Sequence, residues 1–223
     1  MSIFTKLLII LTFAAGIGCS VVNSSTTTTD FANLAPTPAS EKPSTSQTQT
    51  AVFAGGCFWG VEAVFEHVKG VTDVRSGYSG GDSKNADYES VSGGRTEHAE
   101  SVKVTFDPAK VTYEQLLPVF FSVAHDPTQL NRQGPDTGTQ YRSAIFYSSE
   151  EQKKLANDHI AAIDKSKAFP KPVVTQVVSL KEFYEAEGYH QDYLKLHPKD
   201  PYIVYHDLPK LEELKTKFPD LYK

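Results

Sequence analysis

The chain changes character at residue 50, and that break decides how much of it can fold. Residues 20–50 are Ser, Thr, Gln, Asn and Pro with few apolar groups, too few to offset the entropy of ordering them. They read as a flexible tether. From Ala51 onward apolar residues return with the periods of strands and helices. The expected folded unit is therefore 51–223, long enough for one domain with a sizeable core.

The segment before the tether has a different pattern. Met1 to Lys6 carries one positive charge, and Leu7 to Gly18 is uncharged and mostly apolar. That run is shorter than the roughly 20 residues a membrane-spanning helix needs, and it has the layout of a secretory leader. It ends Gly16-Ile17-Gly18-Cys19, small residues before a cysteine that resemble the lipobox of bacterial lipoproteins, with Gly16 where Leu is usual. The expectation is a signal peptide over 1–18 and a tether over 19–50, lipid-anchored if Cys19 is modified. Ordinary leader cleavage nearby is the alternative. Both routes export the chain, to the periplasm or cell envelope.

Within 51–223 the periodicity predicts a strand over Thr50–Ala54, closed by Gly55-Gly56. A helix over Phe58–His67 follows, with Val61, Val64, Phe65 and Val68 at helical spacing. Further strands are expected at Val71–Tyr78, Ala99–Phe106, Ser143–Tyr147 and Val173–Leu180. Helices are expected at Thr112–Ala124, kinked by Pro118, after Ser149, at His190–Leu196 and near Leu211–Lys217. Several neighbouring strands lack a crossover helix, which argues for an α+β fold over a purely parallel sheet.

Composition removes some functions. The net charge is -5 and the sequence pI about 5.8, with Lys and Arg scattered among acids, so no basic nucleic-acid surface is expected. The cysteines are Cys19 and Cys57. They form no CxxC pair, and the seven histidines form no HxxxH or HExxH pattern, so no metal site is expected.

Cys57 remains as the candidate for chemistry. In Gly55-Gly56-Cys57-Phe58-Trp59-Gly60 a strand runs into two glycines and a helix begins at or just after the cysteine. Unpaired N–H groups at a helix start carry partial positive charge, so the Cys57 pKa is expected to be lowered and its thiolate favoured. Phe58 and Trp59 can wall a methyl or thioether group; plain core packing is the other reading. Cys57 could also be a buried inert thiol, or an acyl-transfer nucleophile activated by His98 or His190. A non-catalytic surface lipoprotein binding through exposed aromatics is a third alternative.

The same residues resemble the active-site motif of the A-type peptide methionine sulfoxide reductases. The resemblance continues through Ser76–Gly81, Tyr88-Glu89, Gly94-Arg95-Thr96, His98-Ala99-Glu100, His125–Thr128, Asn131–Gly134, Gly138–Ser143 and Tyr189-His190-Gln191. It implies Cys57 as nucleophile and Glu100 as the acid on the sulfoxide oxygen. It also implies Tyr88 and Tyr141 as hydroxyls aimed at that oxygen, Asp136 as a supporting carboxylate, and Phe58 and Trp59 as the methyl pocket. The implied reaction reduces S-methionine sulfoxide, free or in proteins, through a sulfenic acid on Cys57, repairing oxidised proteins. The fold expected with it is a two-layer sandwich, a mixed sheet with packed helices around a ferredoxin-like core.

Three features depart from many relatives: no resolving cysteine near the C-terminus, Ser92 where some have cysteine, and Glu97 where glycine is frequent. An external thiol, thioredoxin-like or small, is thus expected to reduce Cys57, with no bound cofactor. Oxidised proteins and peptides are the expected partners of a monomer that meets a membrane only through a lipid anchor.

Overall fold

The computed structural model describes residues 48–223. The leader, the Cys19 anchor and the tether up to residue 47 lie outside the described residues.

The chain order is β1 (Gln49–Gly55), α1 (Phe58–Glu66), β2 (Val71–Ser79), α2 (Tyr88–Ser92), β3 (Ala99–Phe106) and α3 (Tyr113–Val119), which runs into a π-helical turn at Phe120–Ala124. Next come a small hairpin of β4 (Arg132–Gln133) and β5 (Asp136–Thr137), then β6 (Ser143–Tyr147), α4 (Glu150–Ser166), β7 (Gln176–Ser179) and β8 (Phe183–Glu185). The chain closes with α5 (Tyr193–Leu196), a second π turn at Ile203–Asp207, and α6 (Leu208–Lys217).

The main sheet has the order β7-β6-β1-β3-β2-β8. Only β6 and β7 pair in parallel; the other neighbours are antiparallel. The four central strands, with α1 crossing from β1 to β2 and α3 lying between β3 and β6, form the expected ferredoxin-like core. The helices share one apolar core with Phe53, Val102 and Val104, and a smaller cluster of Val52, Ala54, Ala99, Ala144 and Phe146 fills the opposite sheet face. The fold is an α+β two-layer sandwich with a mixed sheet.

Four boundaries differ from expectation, each for a local reason. β1 starts at Gln49, before the compositional break, because exposed Gln49 and Thr50 still pair with Phe106 and Thr105. Backbone pairing does not need an apolar side chain. β7 begins only at Gln176. The Val173 and Val174 N–H groups go instead to the Asp164 carboxylate and the Pro127 carbonyl. The single helix expected over 190–196 is broken at Gln191, whose side chain bonds Ser76 N–H, Ser76 carbonyl and Ala186 carbonyl. Asp192 then turns left-handed, φ 54°, before α5 starts. Pro118 sits inside α3 as expected, and the helix widens into the π turn just beyond it, where Ser122 Oγ donates to the Pro118 carbonyl at 2.6 Å.

Candidate active site

Cys57 is the N-cap residue of α1. Gly56 makes the turn into it with φ +92°, and a Cβ there would lie 2.5 Å from Gln133 Cβ. Gln133 in turn bonds both the N–H and the carbonyl of Asp126, so the glycine seats the loop ahead of the hairpin against the nucleophile's turn.

The Phe58 N–H at the start of α1 donates to Glu100 Oε2 at 3.1 Å. Glu100 stands on β3 and is 2% exposed. Burial pushes its carboxyl up to about 8; the Phe58 N–H opposes this and the Asp136 charge adds to it. At neutral pH this side chain is therefore mostly a neutral acid, able to donate a proton.

Tyr88 opens α2, and Tyr141 comes from a separate turn. Glu187 accepts the Tyr88 N–H and the Tyr78 hydroxyl, both at 2.9 Å, fixing α2 over β2. Tyr141 ends a 3-10 turn tied to the same helix by Gln140 Nε2 donating to the Ser92 carbonyl. Both phenols are raised, first by burial and then by charges that include Glu100, Asp136 and Cys57. They face one electrostatic centre. Asp136, on β5, accepts a short hydrogen bond from the Tyr202 hydroxyl.

Phe58 and Trp59 play different parts. Phe58 is 1% exposed, a floor packed against Tyr78 and His190. Trp59 is half-buried, stacked on Tyr193 at 3.7 Å between centroids, with Tyr202 at its edge. Its Nε1–H donates to His190 Nδ1. That bond occupies His190 Nδ1, while the buried Nε2 has no hydrogen-bond partner among the described residues. His98 is held between the Gly81 N–H and the Asp82 carbonyl. Among the described residues no histidine hydrogen-bonds the Cys57 sulfur, and no group of His, Cys, Asp or Glu is placed to hold a metal.

The expected lowering of the Cys57 pKa is overturned. The Trp59 N–H acts downward as the helix start demands, and Lys210 helps, but burial and the charges of Glu100 and Asp207 push the thiol well above its usual value. In the free protein Cys57 rests as a thiol.

Tyr202, Asp207 and Lys210 complete the site and were not singled out in the sequence. Asp207 is 1% exposed, with Oδ1 on Lys210 at 3.2 Å and Oδ2 unpartnered. A Cβ on Gly60 would lie 2.0 Å from Asp207 Oδ1. A glycine inside a helix costs about 1 kcal/mol relative to alanine, so Gly60 announced a close approach without saying by what. Glu97 is exposed; its carbonyl accepts from Arg142, whose guanidinium burial pushes below its usual value while the Glu97 charge opposes that shift.

The sequence profile of the peptide methionine sulfoxide reductases matches residues 49–221. The chain belongs to this family. It is 61% identical to peptide methionine sulfoxide reductase MsrA 2 of Mesorhizobium japonicum, over 78% of this chain and 89% of that one. It is 53% identical to the MsrA 2 of Synechocystis, over 79% and 82%. The reduced form of Mxr1 from Saccharomyces cerevisiae superposes with a TM-score of 0.65 at 33% identity, covering 71% of this chain and 91% of that one. Methionine sulfoxide reductase A of Corynebacterium diphtheriae gives 0.60 at 34%, covering 70% and 78%. The chain is thus an oxidoreductase acting on methionine sulfoxide, in a family that repairs oxidised proteins.

Proposed function

We propose that this reductase acts on the S epimer of methionine sulfoxide, free or in proteins, and passes through a sulfenic acid on Cys57. One observation carries the reading: a buried carboxyl with its pKa near 8 bonds the first N–H of the helix that Cys57 caps. Sulfoxide oxygen leaves poorly unless protonated, and a neutral acid beside the nucleophile supplies that proton.

The Trp59 face, backed by Tyr193, takes the methyl group, and Tyr88 and Tyr141 direct their hydroxyls to the oxygen. Tyr202 orients Asp136 behind them. The Cys57 sulfur bonds to the sulfoxide sulfur as the Glu100 proton moves to the oxygen. The oxygen passes to Cys57 as hydroxyl, the methionine sulfur gives up its bonds to that oxygen and to the Cys57 sulfur, and the thiol proton restores Glu100. Methionine sulfur gains two electrons and Cys57 loses two. An external thiol then returns Cys57 to the thiol state. The S preference follows the family resemblance, since each epimer has its own reductase class.

The leader and tether support export, with anchoring if Cys19 is lipidated; fractionation and intact mass of the mature protein test this. For the chemistry, enzyme without reductant is mixed with separated epimers. The expected result is one methionine per enzyme from the S form and a trappable hydroxyl adduct on Cys57. Turnover of the R form, or methionine without oxidised Cys57, overturns the reading.

A further inference from the structure

Cys57 has a second face. It borders a cavity of about 380 Å³ that Glu100 does not line. Residues 121–124 of the π turn, Asp126 and Asp136 from the connecting loops, and Lys210, Glu213 and Lys217 from α6 line it. None of Phe58, Trp59, Tyr88, Glu100 and Tyr141 does. The residues that handle the sulfoxide share with this cavity only Cys57 and the Asp136–Tyr202 pair.

Displacement at a sulfenic sulfur needs the attacking sulfur, the sulfenic sulfur and the departing oxygen close to one line. The oxygen is left near Glu100, Tyr88 and Tyr141, so the reducing thiol has to reach Cys57 by another approach, and the cavity offers one that none of these three residues lines. The cavity walls carry both signs. Lys210, 24% exposed in its side chain, and Lys217 stand on α6. Asp126, steadied by Thr128 and Gln129, and Asp136, bonded by Tyr202, stand on the facing loops.

We propose that this cavity is the reductant site and that it takes a small zwitterionic thiol, an amino-acid or short-peptide thiol carrying an ammonium and a carboxylate. The inference rests on the sulfenic acid reading above. The carboxylate lies toward Lys210 and the ammonium toward the loop carboxylates, which points the thiol at Cys57. The first thiol forms a mixed disulfide with Cys57 and releases the hydroxyl as water. A second thiol attacks that disulfide, restores the Cys57 thiol and leaves as the oxidised dimer of the reductant.

The test separates the half-reactions. Cys57 is oxidised with one equivalent of S-sulfoxide or, independently, of hydrogen peroxide, so a failure of the sulfoxide chemistry does not hide the reductant step. Its reduction by cysteine, 3-mercaptopropionate and cysteamine is then followed at matched thiolate concentrations. Glu213, half-exposed on α6 and paired with Lys217, gives the blocking variant. Glu213→Trp is expected to slow reduction by cysteine at least fivefold while single-turnover methionine formation stays unchanged. Lys210→Met is expected to slow the two carboxylate thiols at least threefold relative to cysteamine, a ratio that cancels any effect on Cys57 itself. Three results would overturn the proposal: equal slowing of methionine formation by Glu213→Trp, an unchanged thiol ratio in Lys210→Met, or reduction by a dithiol protein alone with small thiols inert.

Discussion

On the β3 side of Cys57, Glu100 accepts the Phe58 N–H, and Tyr88 and Tyr141 stand on α2 and a 3-10 turn held by Glu187 and Gln140. On the α6 side, Asp207 and Lys210 reach the same cysteine from a segment that gives no strand to the sheet. The first side is arranged for proton delivery, its acid poised near neutrality. The second sets the charge around the sulfur, and its members oppose each other, Asp207 raising the thiol and Lys210 lowering it. Both carboxyl groups work against a standing thiolate. A nucleophile at a helix start is therefore not automatically ionised: burial and carboxyl groups outweigh a single N–H.

Substituting the residue that joins the two sides has the largest expected effect. Cys57→Ser should lower reduction of S-methionine sulfoxide by more than about 10³-fold, because a hydroxyl is a far weaker nucleophile. Retained turnover would move the chemistry off this residue.

Breaking only the β3 side should cost less. Glu100→Gln is expected to slow methionine formation about 10²-fold, within the usual range of general acid catalysis, with the fold intact by circular dichroism. In the parent, the rate contributed by the acid form should fall as pH rises through about 8, and this limb should vanish in the variant. A Gln variant as fast as its parent would give the proton to Tyr88 or Tyr141.

Asp207→Asn probes the other side. It removes one charge that raises Cys57 and should speed iodoacetamide alkylation at pH 7.5 by up to about tenfold, the effect of one pKa unit. Alkylation with an unshifted pH profile would mean that Asp207 serves packing against Gly60 alone.

The smallest effect lies in the middle of α1 and serves as a control. Glu62 is 2% exposed, and burial together with Glu66 pushes its carboxyl up to about 8. The unfolded chain releases this proton near the ordinary carboxylate value while the folded chain keeps it. Stability is thus lost as pH rises from about 4 to about 8, and the loss is complete above that. Glu62→Gln should gain a few degrees in melting temperature at pH 9 relative to pH 5, with catalysis unaltered. A constant difference across that range would show that Glu62 is ionised in the fold.

The two sides also differ in how readable they were. The four central strands followed from short apolar or extended runs, alternation in β3 and glycine turns. Glu100 drew notice only because its neighbourhood resembled a known family; β3 alternates cleanly only toward its end, and its first four residues are all buried, which hides an inward acid among apolar positions. Tyr202, Asp207 and Lys210 sit in a stretch with no glycine signature or clear period, where a π turn shifts the helical spacing before α6. Their placement depends on contacts with α1 from the other end of the domain, and local pattern carries no trace of those. The same holds for β8, three residues recruited by the edge of β2.

The seat that Gly60 provides for Asp207 also has a consequence for how the protein is made. The ribosome delivers Cys57 early and its α6 cover last, so during synthesis the thiol spends its time without the burial and carboxylate that later hold it protonated. When the C-terminal segment docks on the bare helix face at Gly60, the Asp207 carboxylate is added to the control that Glu100 exerts on the sulfur. A nascent or clipped chain should thus carry a more reactive cysteine, more open to stray oxidants, than the finished protein.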